Sequence, residues 1–222
     1  MSWAYVGRDD GIRLYTACWN AGAPMPILSG QRILELGCCE EDWLHMAHDI
    51  WPDTHFVGVD TRAPDDIDAG GWVERKRANA LNPDLFEPES MDGIVSLSAF
   101  EHFGLGHYGD PLDPDGDTQI IANCWRWLKP GGWLYFDVPY DPRKYWLKGT
   151  EYRAYNDEAL LDRLWAAPLV GTCAAHWHFT GYCGSRTPET LIDKPTTQSD
   201  DGLRYYVAFC WQKDGHTVSH AH

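Results

Sequence analysis

At 222 residues the chain fits one domain, and 44% hydrophobic with 14% aromatic content excludes a disordered or fibrous polymer. A formal net charge of −15 repels a phosphate backbone unless the 18 basic residues gather on one face, so a nucleic-acid partner is disfavoured. No apolar stretch approaches the roughly 20 residues that span a bilayer, so no membrane partner is expected.

The start, "MSWAYVGRDDGIRLYTACWN", lacks a basic end followed by an apolar block, so no signal peptide is expected. Residues 1–30 are read as an N-terminal helical or cap segment. "RILELG" is a short apolar strand. "EEDWLHMAHDIW" follows as a helix with Trp43, Leu44, Ala47 and Ile50 on one face, stopped by Pro52. "HFVGVD" is a second strand ending on Asp60, "WVERKRANAL" a third ending near Asn79, and "MDGIVSLS" a fourth ending near Ser98. "DTQIIANCWRWL" is a helix with Asp117 as its N-cap, and "KPGG" turns the chain into a fifth strand, "WLYFDVPY". Strands alternating with helices predict an α/β fold: a doubly wound, Rossmann-like, mostly parallel sheet with helices on both faces.

After Pro142 the pattern loosens. "YNDEALLDRLW" is an amphipathic helix capped by Asn156, and "LVGTCAAHWHF" and "LRYYVAFCWQK" make an antiparallel strand pair. Seven strands result, with a long polar loop over residues 181–202. His216, His220 and His222 lie in a terminus, 215–222, expected to be disordered rather than metal-binding. The domain is thus read as 1–214, with a binding core at 31–140 and an acceptor side at 141–214. Seven cysteines without CxxC pairing, four of them (Cys38, Cys124, Cys173, Cys210) in apolar stretches, read as reduced core thiols of a cytosolic protein.

In an open parallel sheet, ligands bind beyond the carboxyl ends of the strands at the switch point of strand order. The first strand ends at Glu35 and Gly37, the second at Asp60 and Thr61, the third at Asn79 and Ala80, the fourth at Ser98 with Glu101 and His102. Gly37 allows a sharp turn against bare backbone, Asp60 accepts from a ribose diol, and Asn79 suits the edge of a base. Any one alone is ordinary strand-end polarity. Four in register point to a nucleoside site. A nicotinamide dinucleotide wants G-x-G-x-x-G, whereas "GCCEED" crowds the helix start with Glu40, Glu41 and Asp42, which repel a pyrophosphate. A cationic ligand without phosphates fits better.

On these residues the chain resembles the class I S-adenosylmethionine-dependent methyltransferases. "ILELGCCEE" is similar to their glycine turn, "FVGVD" to the strand whose acid holds the ribose, and "RANAL" to the segment meeting the adenine amino group. "MDGIVSLSAFEHF" and "CWRWLKPGGWLYFDVP" are similar to the fourth strand and to the helix, turn and strand after it. The resemblance spans residues 31–140 and implies S-adenosylmethionine as cofactor, contacted by Glu35, Gly37, Cys38, Cys39, Asp60, Thr61, Asn79, Ala80 and Ser98. The glycine motif is degenerate: Cys39 and Glu41 stand at its second and third glycine positions. The stretch "SAFEHFGLGHYGDPLDPDGD" resembles a poorly characterised branch associated with surface-polysaccharide genes.

Methyl transfer needs alignment above all, and an oxygen acceptor of high pKa also needs a base or a metal. His102 is the first candidate base, His107 and Tyr108 the second; against this, Glu101-His102 can simply cap and brace the loop that follows. "GDPLDPDGD" carries Asp110, Asp113, Asp115 and Asp117, but anchored on Gly116 an EF-hand frame puts Pro111 first and Ala122 twelfth, so turn and cap roles are expected and no metal. Trp43, Trp125 and Trp133 read as core, while Trp146, Trp177, Tyr140 and Tyr145 are either acceptor walls or packing. The reading is a cytosolic methyltransferase acting on a small polar or sugar-like acceptor, on oxygen. The alternatives are a non-catalytic nucleoside-binding protein of the same fold and a nicotinamide-dependent oxidoreductase.

Overall fold

The computed structural model describes residues 27, 29–38, 43–165, 171–181, 190–192, 194–195 and 204–215. The readings of the N-terminal segment, of Cys39 and the three acids after it, and of the histidine-bearing tail lie outside these residues.

Apolar runs buried on both sides form the centre of the sheet, as parallel strands covered on two faces require. The strands are β1 (Arg32–Leu36), β2 (His55–Asp60), β3 (Asp66–Ile67), β4 (Val73–Arg77), β5 (Met91–Ser96) and β6 (Leu128–Tyr140), then β7 (Trp146–Lys148), β8 (Tyr152–Ala154), β9 (Gly171–Gly181), β10 (Thr190–Ile192) and β11 (Arg204–Lys213). Nine of them make one sheet in the order β10-β9-β11-β6-β5-β1-β2-β4-β3. β1 runs parallel to β2 and β5, β2 to β4, and β5 to β6. β11 is antiparallel to both β6 and β9. The expected α/β sheet with its antiparallel C-terminal pair is therefore present, widened at each edge by β3 and β10. β10 falls inside the stretch read as a polar loop, and β7 and β8 form a separate hairpin.

Alternation along the strands sorts the core into two layers. Leu34, Ile94, Leu134, Phe136 and Val138 face α2 (Gly116–Trp127) and the short helix α3 (Asp157–Ala159), which continues as a π turn over Leu160–Leu164. Ile33, Phe56, Val95, Trp133 and Tyr135 face α1 (Trp43–Ile50). Trp43, Leu44 and Ala47 of α1 are buried, but Ile50, expected on the same face, is 49% exposed at the last residue of the helix. Asn156 caps α3, its side chain accepting from the Ala159 amide. None of Cys38, Cys124, Cys173 and Cys210 is in a disulfide, and all but Cys173 are fully buried. No helix among the described residues is long and apolar enough to cross a membrane.

Asp117 is not the cap of α2. The N-cap position is Asp115, which makes no side-chain cap bond, and Asp117 sits in the first turn with no exposure. Its Oδ2 accepts from Tyr155 Oη at 2.8 Å and Arg163 Nε at 2.8 Å, its Oδ1 from Arg163 Nη2 at 2.6 Å. Arg153 Nε lies 3.5 Å from Oδ2, with the Arg153 side chain 1% exposed. The Arg153 guanidinium also donates to the carbonyls of Phe103 and Pro114. One carboxylate thus ties β8, α3 and the loop between β5 and α2 together. Removing one member of such a buried set strands the rest without compensation. Asp117→Ala is expected to lower unfolding stability by about 3–5 kcal/mol in urea denaturation; a loss below about 1 kcal/mol would show that the set is not coupled.

Candidate active site

The strand order reverses between β1 and β5, so the switch point lies at their carboxyl ends. Registers Leu36 with Val59, Leu36 with Ser96 and Asp60 with Arg77 bring the ends of β1, β5, β2 and β4 to one level. Gly37 takes φ +89°, donates to the Val59 carbonyl at 2.8 Å, and leaves a Cβ position only 2.6 Å from Ala99 Cβ. Any side chain there would collide with the turn after β5, so the glycine is fixed by packing as well as by φ. Cys38 is buried with its thiol against Gly58 of β2, and Glu35 is buried at the end of β1. These two therefore meet this edge through backbone, not through exposed side chains.

Beside the turn, Asp60 is held by Arg62: Oδ1 accepts from the Arg62 amide at 2.8 Å and from Nε at 3.2 Å, and Oδ2 from Nη2 at 3.2 Å. The Arg62 guanidinium lies 4.0 Å above the Tyr108 ring, and Thr61 Oγ1 donates to the Tyr108 carbonyl at 2.7 Å. Asn79 lies two residues past β4; its Oδ1 accepts from the Leu81 amide at 3.0 Å. Ala80 is buried, its carbonyl taken by Asn123 Nδ2. Its side chain points into the core.

The loop from Phe103 to Asp115 closes over this edge. Gly104 (φ +77°) has the Asp113 carbonyl 2.2 Å from its Cβ position, and its amide donates to Asp110 Oδ2 at 2.5 Å. Asp113 Oδ1 accepts from the Asp115 amide, so Asp110, Asp113 and Asp117 are all engaged by protein donors. Tyr108 stands edge-on to His102 at 5.1 Å and to His107 at 4.6 Å, so the three proposed catalytic residues form one cluster touching Arg62.

His102 is turned inward. Its Nδ1 meets the Glu151 carbonyl, which fixes the proton on Nδ1, and Nε2 lies 3.8 Å from Glu101 Oε1. Burial, partly offset by the Glu151 bond, lowers its pKa to about 4. Both ring nitrogens face protein, the bracing geometry weighed against the catalytic one. His107 is exposed and Tyr108 half-buried.

Three groups of this edge escaped the sequence reading. Arg62 had a signal, an Asp-x-Arg spacing at a strand end that recurs at Asp141 and Arg143. Glu151 had none, since it acts through its carbonyl. Asp137, an acid inside an apolar strand, is 1% exposed. It accepts from the Ser98 amide at 2.8 Å and Ser98 Oγ at 2.9 Å, holding Ser98 at φ +45°, a left-handed conformation costly for a non-glycine residue. Burial pushes the Asp137 carboxyl up to about 6. Burial and the Asp137 charge push Glu101 well above the usual range. Among the described residues no group of three or more His, Cys, Asp or Glu side chains could hold a metal ion.

Residues 84–152 match a family described as "Caenorhabditis protein of unknown function, DUF268". No curated protein matches the sequence. Among solved structures, the fold is shared with a chain of the Haloferax volcanii complex between the Trm112 methyltransferase activator and a methyltransferase (19% identity, TM-score 0.58, 96% of each chain covered). It is shared with the Burkholderia thailandensis 1,6-didemethyltoxoflavin-N1-methyltransferase, solved with 1,6-didemethyltoxoflavin and S-adenosylhomocysteine (16% identity, TM-score 0.54, 93% of this chain and 84% of that chain). The [4+2]-cyclase SpnF has it too (15% identity, TM-score 0.56, 97% of this chain and 87% of that chain). At these identities the likeness establishes the architecture expected of class I methyltransferases.

Asp137 makes a pH signature at this edge. A carboxyl raised from 3.8 to about 6 gives stability that is complete below about pH 4 and lost as pH rises through about 6, amounting to about 3 kcal/mol. Asn in its place keeps an acceptor for Ser98 without the buried charge. The stability of Asp137→Asn relative to wild type is expected to rise by about 2–3 kcal/mol between about pH 4 and about pH 8. Parallel denaturation curves at the two pH values would check it, and a flat difference would contradict it.

Proposed function

We propose that the chain binds S-adenosylmethionine at the carboxyl edge of β1, β2, β4 and β5 and transfers its methyl group to a small polar or sugar-like acceptor, on oxygen. The observation that carries this is Gly37, fixed against Ala99 with bare backbone and bonded to the Val59 carbonyl beside Asp60 at the end of β2, with Asn79 two residues past β4, the strand on the far side of β2. The donor set suits the group: Asp60 for a ribose diol, Asn79 for the adenine edge, and an acid-rich turn for a sulfonium cation. Glu35, Cys38, Cys39, Thr61, Ala80 and Ser98 complete the proposed contacts, Glu35, Cys38 and Ala80 through backbone. When bound, the sulfonium supplies an activated methyl group; the chain's part is to orient it and the acceptor and to exclude water.

Tyr108 and His107 are the residues we assign to the acceptor proton, since His102 braces the hairpin through Glu151. That same inward His102 also favours a second reading, a nucleoside-binding protein without transfer. Thiols outside disulfides accord with the cytosol as compartment, and the net charge of −15 accords with an acceptor other than nucleic acid.

Titration calorimetry with S-adenosylmethionine, S-adenosylhomocysteine and NAD tests the assignment. The first two are expected to bind and NAD not. Asp60→Ala should weaken binding by about 1.5–3 kcal/mol through lost charge-assisted hydrogen bonds. A variant as tight as wild type would remove Asp60 from the site. Release of S-adenosylhomocysteine in an acceptor screen separates transfer from binding alone.

A further inference from the structure

We infer that Arg62 is a positioning residue that links the ribose-binding acid to the loop carrying Tyr108, so that ligand and guanidinium compete for Asp60; this rests on the nucleoside reading of the edge. The closure of Asp60 is written in the local sequence. Asp141 and Arg143 at the end of β6 repeat it, with bonds from the Arg143 amide, Nε and Nη2 at 3.0, 3.2 and 3.2 Å. An aspartate accepting from the amide two residues on is a stable turn by itself, and an arginine there folds its fork back onto the same carboxylate.

The two copies differ in what else they hold. Asp141 Oδ2 also accepts from Trp146 Nε1 at 3.0 Å, and the Arg143 side chain is 52% exposed. At Asp60 the fork is 31% exposed, the carboxylate 7%, and the guanidinium covers the Tyr108 ring. Thr61 Oγ1 fastens the Tyr108 backbone from the next position. Tyr108 in turn packs on His102 and His107. The end of β2 therefore holds the loop at two points, and one of them, the guanidinium, draws on Asp60.

A carboxylate has about four acceptor sites. Oδ1 of Asp60 already accepts twice, from the Arg62 amide and Nε, and Oδ2 once. A diol gripping both oxygens needs one bond on each, so at least the Nε bond must yield. Releasing it loosens the guanidinium over Tyr108, and the loop bearing the proposed proton acceptors gains freedom as the nucleoside seats. Arg62 thereby lowers nucleoside affinity and holds the loop down until the ribose displaces it.

The variants Arg62→Ala and Arg62→Lys distinguish this from a merely structural role. Arg62→Ala is expected to bind S-adenosylhomocysteine about two- to tenfold more tightly than wild type, with Arg62→Lys in between because an ammonium cannot fork. Without added nucleoside, amides 104–110 should exchange hydrogen about tenfold faster in Arg62→Ala. A structural role alone predicts equal or weaker binding. Equal or weaker binding by Arg62→Ala, or unchanged exchange of the loop, overturns the inference. If wild type binds no nucleoside, the competition falls with the reading beneath it, and the exchange result alone decides the tether.

Discussion

Asp117, a carboxylate with no access to water, ties together β8, the turn that continues α3 and the loop that follows β5. Two guanidinium groups and a phenol converge on it, from β8, from the chain joining β8 to α3, and from the turn that continues α3. A single unpaired charge at such depth costs several kcal/mol, so the partners are obligatory to one another. Arg153 spreads the effect further by donating to the Phe103 and Pro114 carbonyls, groups a loop ordinarily leaves to solvent. The loop with Tyr108 is ordered because this hub fixes both of its ends.

The same edge shows why its other acids behave differently. Asp117 faces guanidinium groups at close range, whereas among the described residues Asp137 accepts from the Ser98 amide and hydroxyl. Two neutral donors do not offset the desolvation of a charge, so the Asp137 carboxyl shifts upward. Glu101, beside it, gains from Arg153 less than burial takes away. The outcome is a strand end where one acid is paired and two are biased toward the neutral form. Ser98 is held by Asp137 at positive φ, and strain of this kind persists only where surrounding bonds over-determine it.

What sequence could reveal tracks the range of the interactions involved. Alternation and apolar runs located β1, β2, β5, β6, β9 and β11, since burial on two faces leaves a local pattern. The Asn156 cap was legible because its bond spans three residues. β3 and β10, two and three residues long, are too short for any period to show, and Asp65 and Asp66 give no hint that they meet the basic run of β4. That run is answered locally: Arg75 pairs with Asp66 and Lys76 with Glu74. Asp117 was misread as a cap because its partners lie 36 to 46 residues away in sequence. A carboxylate before an apolar helix looks the same whether it meets an amide nearby or a guanidinium far off. The strand-end residues were legible as positions. Which of their side chains turn outward was not, as Cys38 and Ala80 demonstrate.

The inward turn of His102 changes what a transfer at this edge requires. An imidazole whose Nδ1 proton is committed to the Glu151 carbonyl and whose pKa is lowered to about 4 holds a proton poorly near neutrality. On the proposed reading, the proton of a hydroxyl acceptor would then go to the neighbouring loop, where Tyr108 is half-buried and His107 exposed. Acceptors that ionise unaided, carboxylates and thiols, escape the requirement altogether. Asp60 and Tyr108, proposed for the ribose and for the acceptor proton, are joined by one short contact path through Arg62. Under that proposal, loop position, more than the basicity of any one side chain, would decide when an acceptor hydroxyl meets a group able to take its proton.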